Sequence, residues 1–242
     1  MAALKWDKSG EHFYETGISK GVLYPRTGTG SSATWGIGVE WNGLISVTET
    51  PEGADEEAFY ADNIKYLALR GVEDFGGSIT AYQSPVEFDA CDGTADLMVG
   101  AGGTRTGITI GQQTRIPFCM AYTTQKGSDL EGNDYGEIIH IIYNATASPS
   151  EREYQTINDS PEPQELSWDF TTTPVPVTGY KNTAILKIDS TGPLFADATG
   201  RAKLKKIKDA LFGTDGDGTE GSKGTDPHVL LPDEVLALLS GT

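Results

Sequence analysis

Between residues 35 and 47 the apolar side chains fall on alternate positions: Trp35, Ile37, Val39, Trp41, Ile45 and Val47, with mostly small or polar residues between them. An extended chain points successive side chains to opposite faces. A period of two therefore specifies strand with one buried face and rules out an amphipathic helix there. Asn42-Gly43 sits in the middle and favours a type I′ turn. The segment predicts a hairpin with arms at 35–41 and 44–49. Strands are also predicted over residues 64–70, 77–83, 108–110, 115–123, 137–145, 166–177 and 183–189. The 137–145 stretch is apolar on both faces, through Ile138 and Ile142 on one and Ile139, Ile141 and Tyr143 on the other. That pattern predicts a central strand covered on both sides. Pro174 and Pro176 bend the 166–177 segment or place its end at a sheet edge.

Helix is scarce. Residues 85–91 (PVEFDAC) predict a short one, with Ser84 as N-cap, Pro85 in the first turn and Gly93 beyond the end. Residues 201–212 place Leu204, Ile207 and Leu211 at i, i+3 and i+7 ahead of Gly213, the pattern of a longer helix. Residues 214–227 have the composition of a flexible linker, and 232–239 predict a last short helix. The organisation expected is a β domain over 1–190, then a C-terminal helix and tail over 191–242.

Charge narrows the functions open to such a chain. It holds 18 Lys+Arg and 35 Asp+Glu, a formal net charge of −17. Nucleic-acid binders carry the opposite balance, and anionic membranes repel this one. Residues 201–242 contain seven acids and six bases, net −1, so residues 1–200 carry −16 of the −17. Six acids and no base lie between Glu49 and Asp62: Glu49, Glu52, Asp55, Glu56, Glu57 and Asp62, with Phe59 and Tyr60 among them. The stretch is longer than an ordinary hairpin turn and predicts an extended acidic loop with a contact function.

Cys91 and Cys119 form no CxxC pair, which suits two buried thiols in a reducing compartment. The first 17 residues lack an apolar signal core, and the longest apolar run, IIHIIY at 138–143, falls far short of the about 20 residues that span a bilayer. The expectation is a chain without membrane contact. His12, His140 and His228 have no metal-ligand spacing, and His140, inside the most apolar strand, suits a hydrogen-bonded structural role. GISKG (17–21) matches GxSxG, but the extended VLYP that follows is wrong for a nucleophile elbow at Ser19. GAGGTRTG (100–107) lacks the GK[ST] of a phosphate loop and reads as a turn. The DGDG at 215–218 would open a calcium loop, but Glu220 and Asp226 replace its required Gly and Glu. These residues predict no catalytic, cofactor-binding or metal-binding constellation.

A series of blocks resembles a known family. WDKSGEHFYETGISKGVLY (6–24), WNGL (41–44), EGADEEAFYADNIKY (52–66), PVEFDACDG (85–93), YGEIIHIIYNATASPSEREYQTINDSPEP (135–163), WDFTTTPVPVTG (168–179) and the ending LFG…LLPDEV (211–235) are similar, in this order, to major tail proteins of long-tailed, non-contractile bacteriophages. Agreement is weakest over 96–107 and 214–226. The resemblance implies a mainly β fold of two packed antiparallel sheets with a short flanking helix and a C-terminal helix. It implies subunits that form hexameric rings, close a shared inner β-barrel and stack into a tail tube in the virion. It also implies assembly in the bacterial cytoplasm on a tape measure protein, tail terminator and distal tail partners, and DNA passing through the lumen without specific binding. The acidic residues of 49–62 are then candidates for contacts between rings. The alternative expectation is a β-sandwich that binds carbohydrate or a receptor through Trp6, Trp35, Trp41 and Trp168.

Overall fold

The computed structural model describes residues 5–241 apart from 29, 54–55, 72, 101–102, 150–151, 155, 157–158, 160–162 and 217–223. In chain order its strands are β1 (Phe13–Thr27), β2 (Thr34–Trp35), β3 (Val39–Trp41), β4 (Leu44–Glu52), β5 (Glu56–Ala61), β6 (Ile64–Arg70), β7 (Asp74–Ala81), β8 (Ala95–Val99), β9 (Thr104–Ile110), β10 (Phe118–Ser128), β11 (Gly132–Pro149), β12 (Leu166–Thr172) and β13 (Ile185–Asp189). The helices are α1 (Asp89–Asp92), α2 (Ala198–Phe212) and α3 (Pro232–Ser240). The fold is mainly β and antiparallel, with a short flanking helix and C-terminal helices, as the sequence leads one to expect.

Nine strands make one sheet in the order β2-β1-β10-β11-β12-β7-β4, with β3 also paired to β1 and β13 to β11. β3 and β4 lie at opposite edges yet are joined by Asn42 and Gly43 alone. The sheet must therefore roll until its edges meet. Contacts across the interior record the roll: Trp41 of β3 stands edge-on to Trp168 of β12, ring centroids 5.7 Å apart. No ladder joins β1 to β4, so the single chain holds a rolled sheet and no closed barrel.

Two cores follow from the period-two pattern. Inside the roll lie Leu23, Trp41, Ile79, Phe88, Phe118, Met120, Ile142, Trp168 and Phe170. On the outer face Val22, Tyr24, Cys119, Ala121, Ile139, Ile141, Tyr143 and Ile188 pack against Leu204, Ile207 and Leu211 of α2 and Val235 of α3. β10 and β11 bury both faces, as the 137–145 pattern predicts, and residues 191–242 contribute to the same core as the sheet. Two tyrosines fasten this layer: Tyr24 Oη donates to the Leu211 carbonyl at 2.5 Å and Tyr143 Oη to the Leu230 carbonyl at 2.8 Å. Burial raises both phenols far above their usual range. Asp197 caps α2 by accepting from the Gly200 N–H, and Gly213 ends it at φ 74°.

Several local expectations are corrected. The 35–41 and 44–49 arms do not pair; β3 bonds to β1 and β4 to β7. Asn42-Gly43 is no type I′ turn either, because only Gly43 of the two has positive φ. The long strand β1 is not among the segments predicted, since its first half is mostly polar and exposed. Ser84 does not cap the short helix: the helical turn opens at Pro85 with no side-chain cap, and runs through Val86–Phe88 into α1, which ends at Gly93 with φ 86°. Pro174 and Pro176 lie past the end of β12, where only Val175 bridges to Thr183. The middle of the expected linker, 217–223, is outside the described residues, but its flanks are tied: Thr214 and Thr225 exchange backbone bonds of 3.0 and 3.1 Å.

Candidate functional site

The expected acidic loop is strand and hairpin. β4 carries the chain out to Glu52, and β5 returns along β6 in a two-stranded sheet of its own. Asp62 and Asn63, at φ 51° and 60°, make the connection between Ala61 and Ile64. Two central residues of positive φ are what a type I′ turn requires, so the turn assigned by sequence to Asn42-Gly43 is made here. High acid content hid β5, while β6 is the strand expected over 64–70.

The structure divides the predicted contact residues. Glu52 is exposed at the end of β4, Glu56 pairs with Lys65 at 2.5 Å, and Glu57 stands opposite Leu69. Phe59 faces Leu67 and Ala61 faces Ile64, so one face of the hairpin presents Glu57, Phe59, Ile64, Leu67 and Leu69, while Tyr60, opposite Lys65, shares the other face with Glu56. Asp62 is at the tip, and Asp55 lies outside the described residues. The apolar members of the hairpin are open to solvent: Tyr60 is 73% exposed, Tyr66 67%, Ile64 63% and Leu69 57%. A lone two-stranded hairpin is marginal in water, and a contiguous apolar patch of this kind marks an interaction surface. The β8–β9 hairpin is a second such projection, exposing Leu97, Met98, Val99 and Ile108. Arg105 braces its base against Asp96 at 2.6 Å and Asp89 at 3.3 Å. Burial and the neighbouring Asp92 raise the Asp89 carboxyl.

Glu49 belongs elsewhere. It sits in β4 opposite Gly77 and turns into the roll. Its Oε1 accepts from Tyr122 Oη at 2.6 Å and lies 2.8 Å from His140 Nδ1, while Lys187 Nζ meets Oε2 at 2.5 Å. Glu15 Oε1 approaches His140 Nε2 at 3.0 Å and accepts from Thr124 at 2.5 Å. Tyr122 stacks on the imidazole at 4.7 Å and 9°. Burial works against the Glu49 carboxylate, yet hydrogen bonds from His140, Lys187 and Tyr122 hold its pKa down to about 2. Burial and the Glu49 acceptor push the Tyr122 phenol up. This cluster lines a cavity of about 430 Å³ between β1 and β4, where the roll is open. Five strands meet on His140, which has the hydrogen-bonded role its sequence setting suggests. Glu15, Tyr122 and Lys187 escape a sequence reading, because no local spacing joins residues from separate strands.

The other motifs resolve into structure. Ser19 lies mid-strand with Oγ 2.9 Å from Thr123 Oγ1, and β1 runs on through Thr27, so no strand-to-helix elbow forms there. Residues 100–103 join β8 to β9, with 101–102 outside the described residues, and 104–107 are already strand β9. Cys91 and Cys119 are buried and free. Trp41 and Trp168 are core residues and unavailable to stack on a sugar, leaving Trp6 as the exposed indole. Among the described residues no group of three or more His, Cys, Asp or Glu is placed to hold a metal ion. No described helix is long and apolar enough to cross a membrane. Comparison with protein-family models and with curated proteins finds no match to this chain.

Proposed function

We propose that the chain is a structural subunit that assembles with copies of itself into stacked rings, the tube of a phage tail through which DNA leaves the virion. One observation carries the reading: two β-hairpins, β5–β6 and β8–β9, project from a well-packed rolled sheet with apolar side chains that the single chain leaves uncovered. The ordered series of sequence blocks that resembles major tail proteins is what points to a tail tube as that assembly. Different surfaces of one subunit in head-to-tail contact close into rings along one direction and stack along another, and the candidate contacts between rings lie on Glu52, Glu56, Glu57, Phe59, Tyr60 and Asp62.

The proposed mechanism is physical rather than catalytic. DNA carries one charge per about 1.7 Å of its axis, and an acidic wall repels it over about 8 Å at physiological salt. The repulsion keeps DNA sliding with its counterions. The tape measure protein sets the tube, with terminator and distal tail proteins at its ends. Negative-stain microscopy of the purified protein, alone and with its tape measure partner, tests the reading. Rings or tubes with an open bore are expected, and a persistent monomer under every assembly condition contradicts it.

A further inference from the structure

We infer that the groove between β13 and α3 receives the β5–β6 hairpin of a second copy. The inference rests on the assembly reading above and adds where the hairpin goes. The groove has a volume of about 530 Å³ and an apolar lining that includes Tyr180, Ile185, Leu194, Leu236 and Leu239. Leu194 and Leu236 remain 49% and 42% exposed in the single chain, so a guest would bury surface that the fold itself leaves wet.

The wall of the groove is an open strand edge. Tyr143 N–H bonds to the Ala184 carbonyl and Ser190 N–H to the Glu137 carbonyl. Alternation along the ladder then turns the backbone groups of Ile185, Lys187 and Asp189 away from β11. Thr183 Oγ1 takes both groups of Ile185, and Gly192 N–H takes the Asp189 carbonyl. The Lys187 N–H and carbonyl and the Asp189 N–H are left, among the described residues, to orient an extended guest. The β5–β6 hairpin suits that place because it pairs only with itself, so the outer edges of both its strands are open. Its face of Phe59, Ile64, Leu67 and Leu69 matches an apolar groove.

Charge selects this pairing over others. Copies of a chain with net charge −17 repel one another, and contact is easiest where a cation meets an acid. Of the lysines that line the groove, Lys187 is held by Glu49, and Lys181 has no ion-pair partner among the described residues. Glu57 lies on the apolar face of the hairpin and Asp62 at its tip.

Cysteine pairing tests the contact. Cys91 and Cys119 are buried, so Leu67→Cys and Leu236→Cys introduce the reactive thiols. Under mild oxidation an equal mixture of the two single variants should give disulfide dimers, and the double variant a ladder of higher species. Leu236→Glu should lose rings and tubes while keeping the wild-type Tm, and Lys181→Glu should weaken assembly in a way that Glu57→Lys restores. Tubes that form normally with Leu236→Glu, or tubes of the double cysteine variant in which the two introduced thiols do not crosslink, overturn this inference and leave the assembly reading standing. A wild-type chain that never assembles overturns both. A small apolar molecule of fixed mass held by the monomer in native mass spectrometry assigns the groove to a ligand and overturns the hairpin as its guest.

Discussion

Replacing Glu49 with Gln removes one charge from the interior of the roll while keeping the shape. The Glu49 side chain is 17% exposed, so solvent screens it weakly. Its pKa falls from 4.5 to about 2 on folding, which at about 1.4 kcal/mol per unit corresponds to about 3 kcal/mol. That figure is a ceiling, because Gln still accepts from Tyr122 and the interaction is shared with Lys187. The folded-state pKa lies below the unfolded one, so between these values the unfolded chain binds more protons. The contribution of Glu49 is therefore complete above its unfolded pKa and is lost as pH falls toward about 2. The wild type should exceed Glu49→Gln by roughly 2–3 kcal/mol at neutral pH, with more than half of that gone by about pH 3. Urea unfolding of dilute monomer, followed by the fluorescence of the buried Trp41 and Trp168, measures both values. An equal gap at the two pH values, or none at neutral pH, refutes an ionised Glu49 as the partner of His140, Lys187 and Tyr122.

Other positions give independent checks. A Cβ on Gly77 would stand 1.9 Å from the Thr48 carbonyl oxygen, so Gly77→Ala should push β4 from β7 and cost roughly 3 kcal/mol, a fall of roughly 10 °C in Tm by calorimetry. Tyr143→Phe leaves the Leu230 carbonyl without its donor and should cost about 1–2 kcal/mol in urea unfolding; an unchanged midpoint contradicts that bond. Burial pushes the Cys91 and Cys119 thiols up to about 12, so a thiol reagent at neutral pH should label neither until urea is added.

Sequence legibility followed the range of the interaction. The two-faced apolar pattern of β11 and the Leu204, Ile207, Leu211 stripe of α2 are local and appear in the structure as expected. Asn42-Gly43 is a turn but no chain reversal: β3, antiparallel to β1, and β4, antiparallel to β7, run in the same sense, because strand pairing is decided by distant residues such as Trp168 and Ile79 inside the roll. β5 was obscured by charge: its acids suit solvent, and only the alternation of Phe59 with Leu67 across the turn makes it strand. Of the cluster on His140, the histidine stood out and Glu49 did so only as part of the acidic run, whereas Glu15, Tyr122 and Lys187 arrive from three other strands. Glu49 shows how one acidic run can serve two ends, with its first residue turned into the core and the rest outward.

Negative-stain microscopy of wild type beside a Phe59→Ser, Leu67→Ser variant asks whether the proposed self-assembly runs through the projecting hairpins. Wild-type rings or tubes with an open bore, and a folded variant of unchanged Tm that stays monomeric, are the predicted results. A wild type that remains monomeric, alone or with the proposed tape measure partner, or a variant that builds the same tubes, contradicts the proposal.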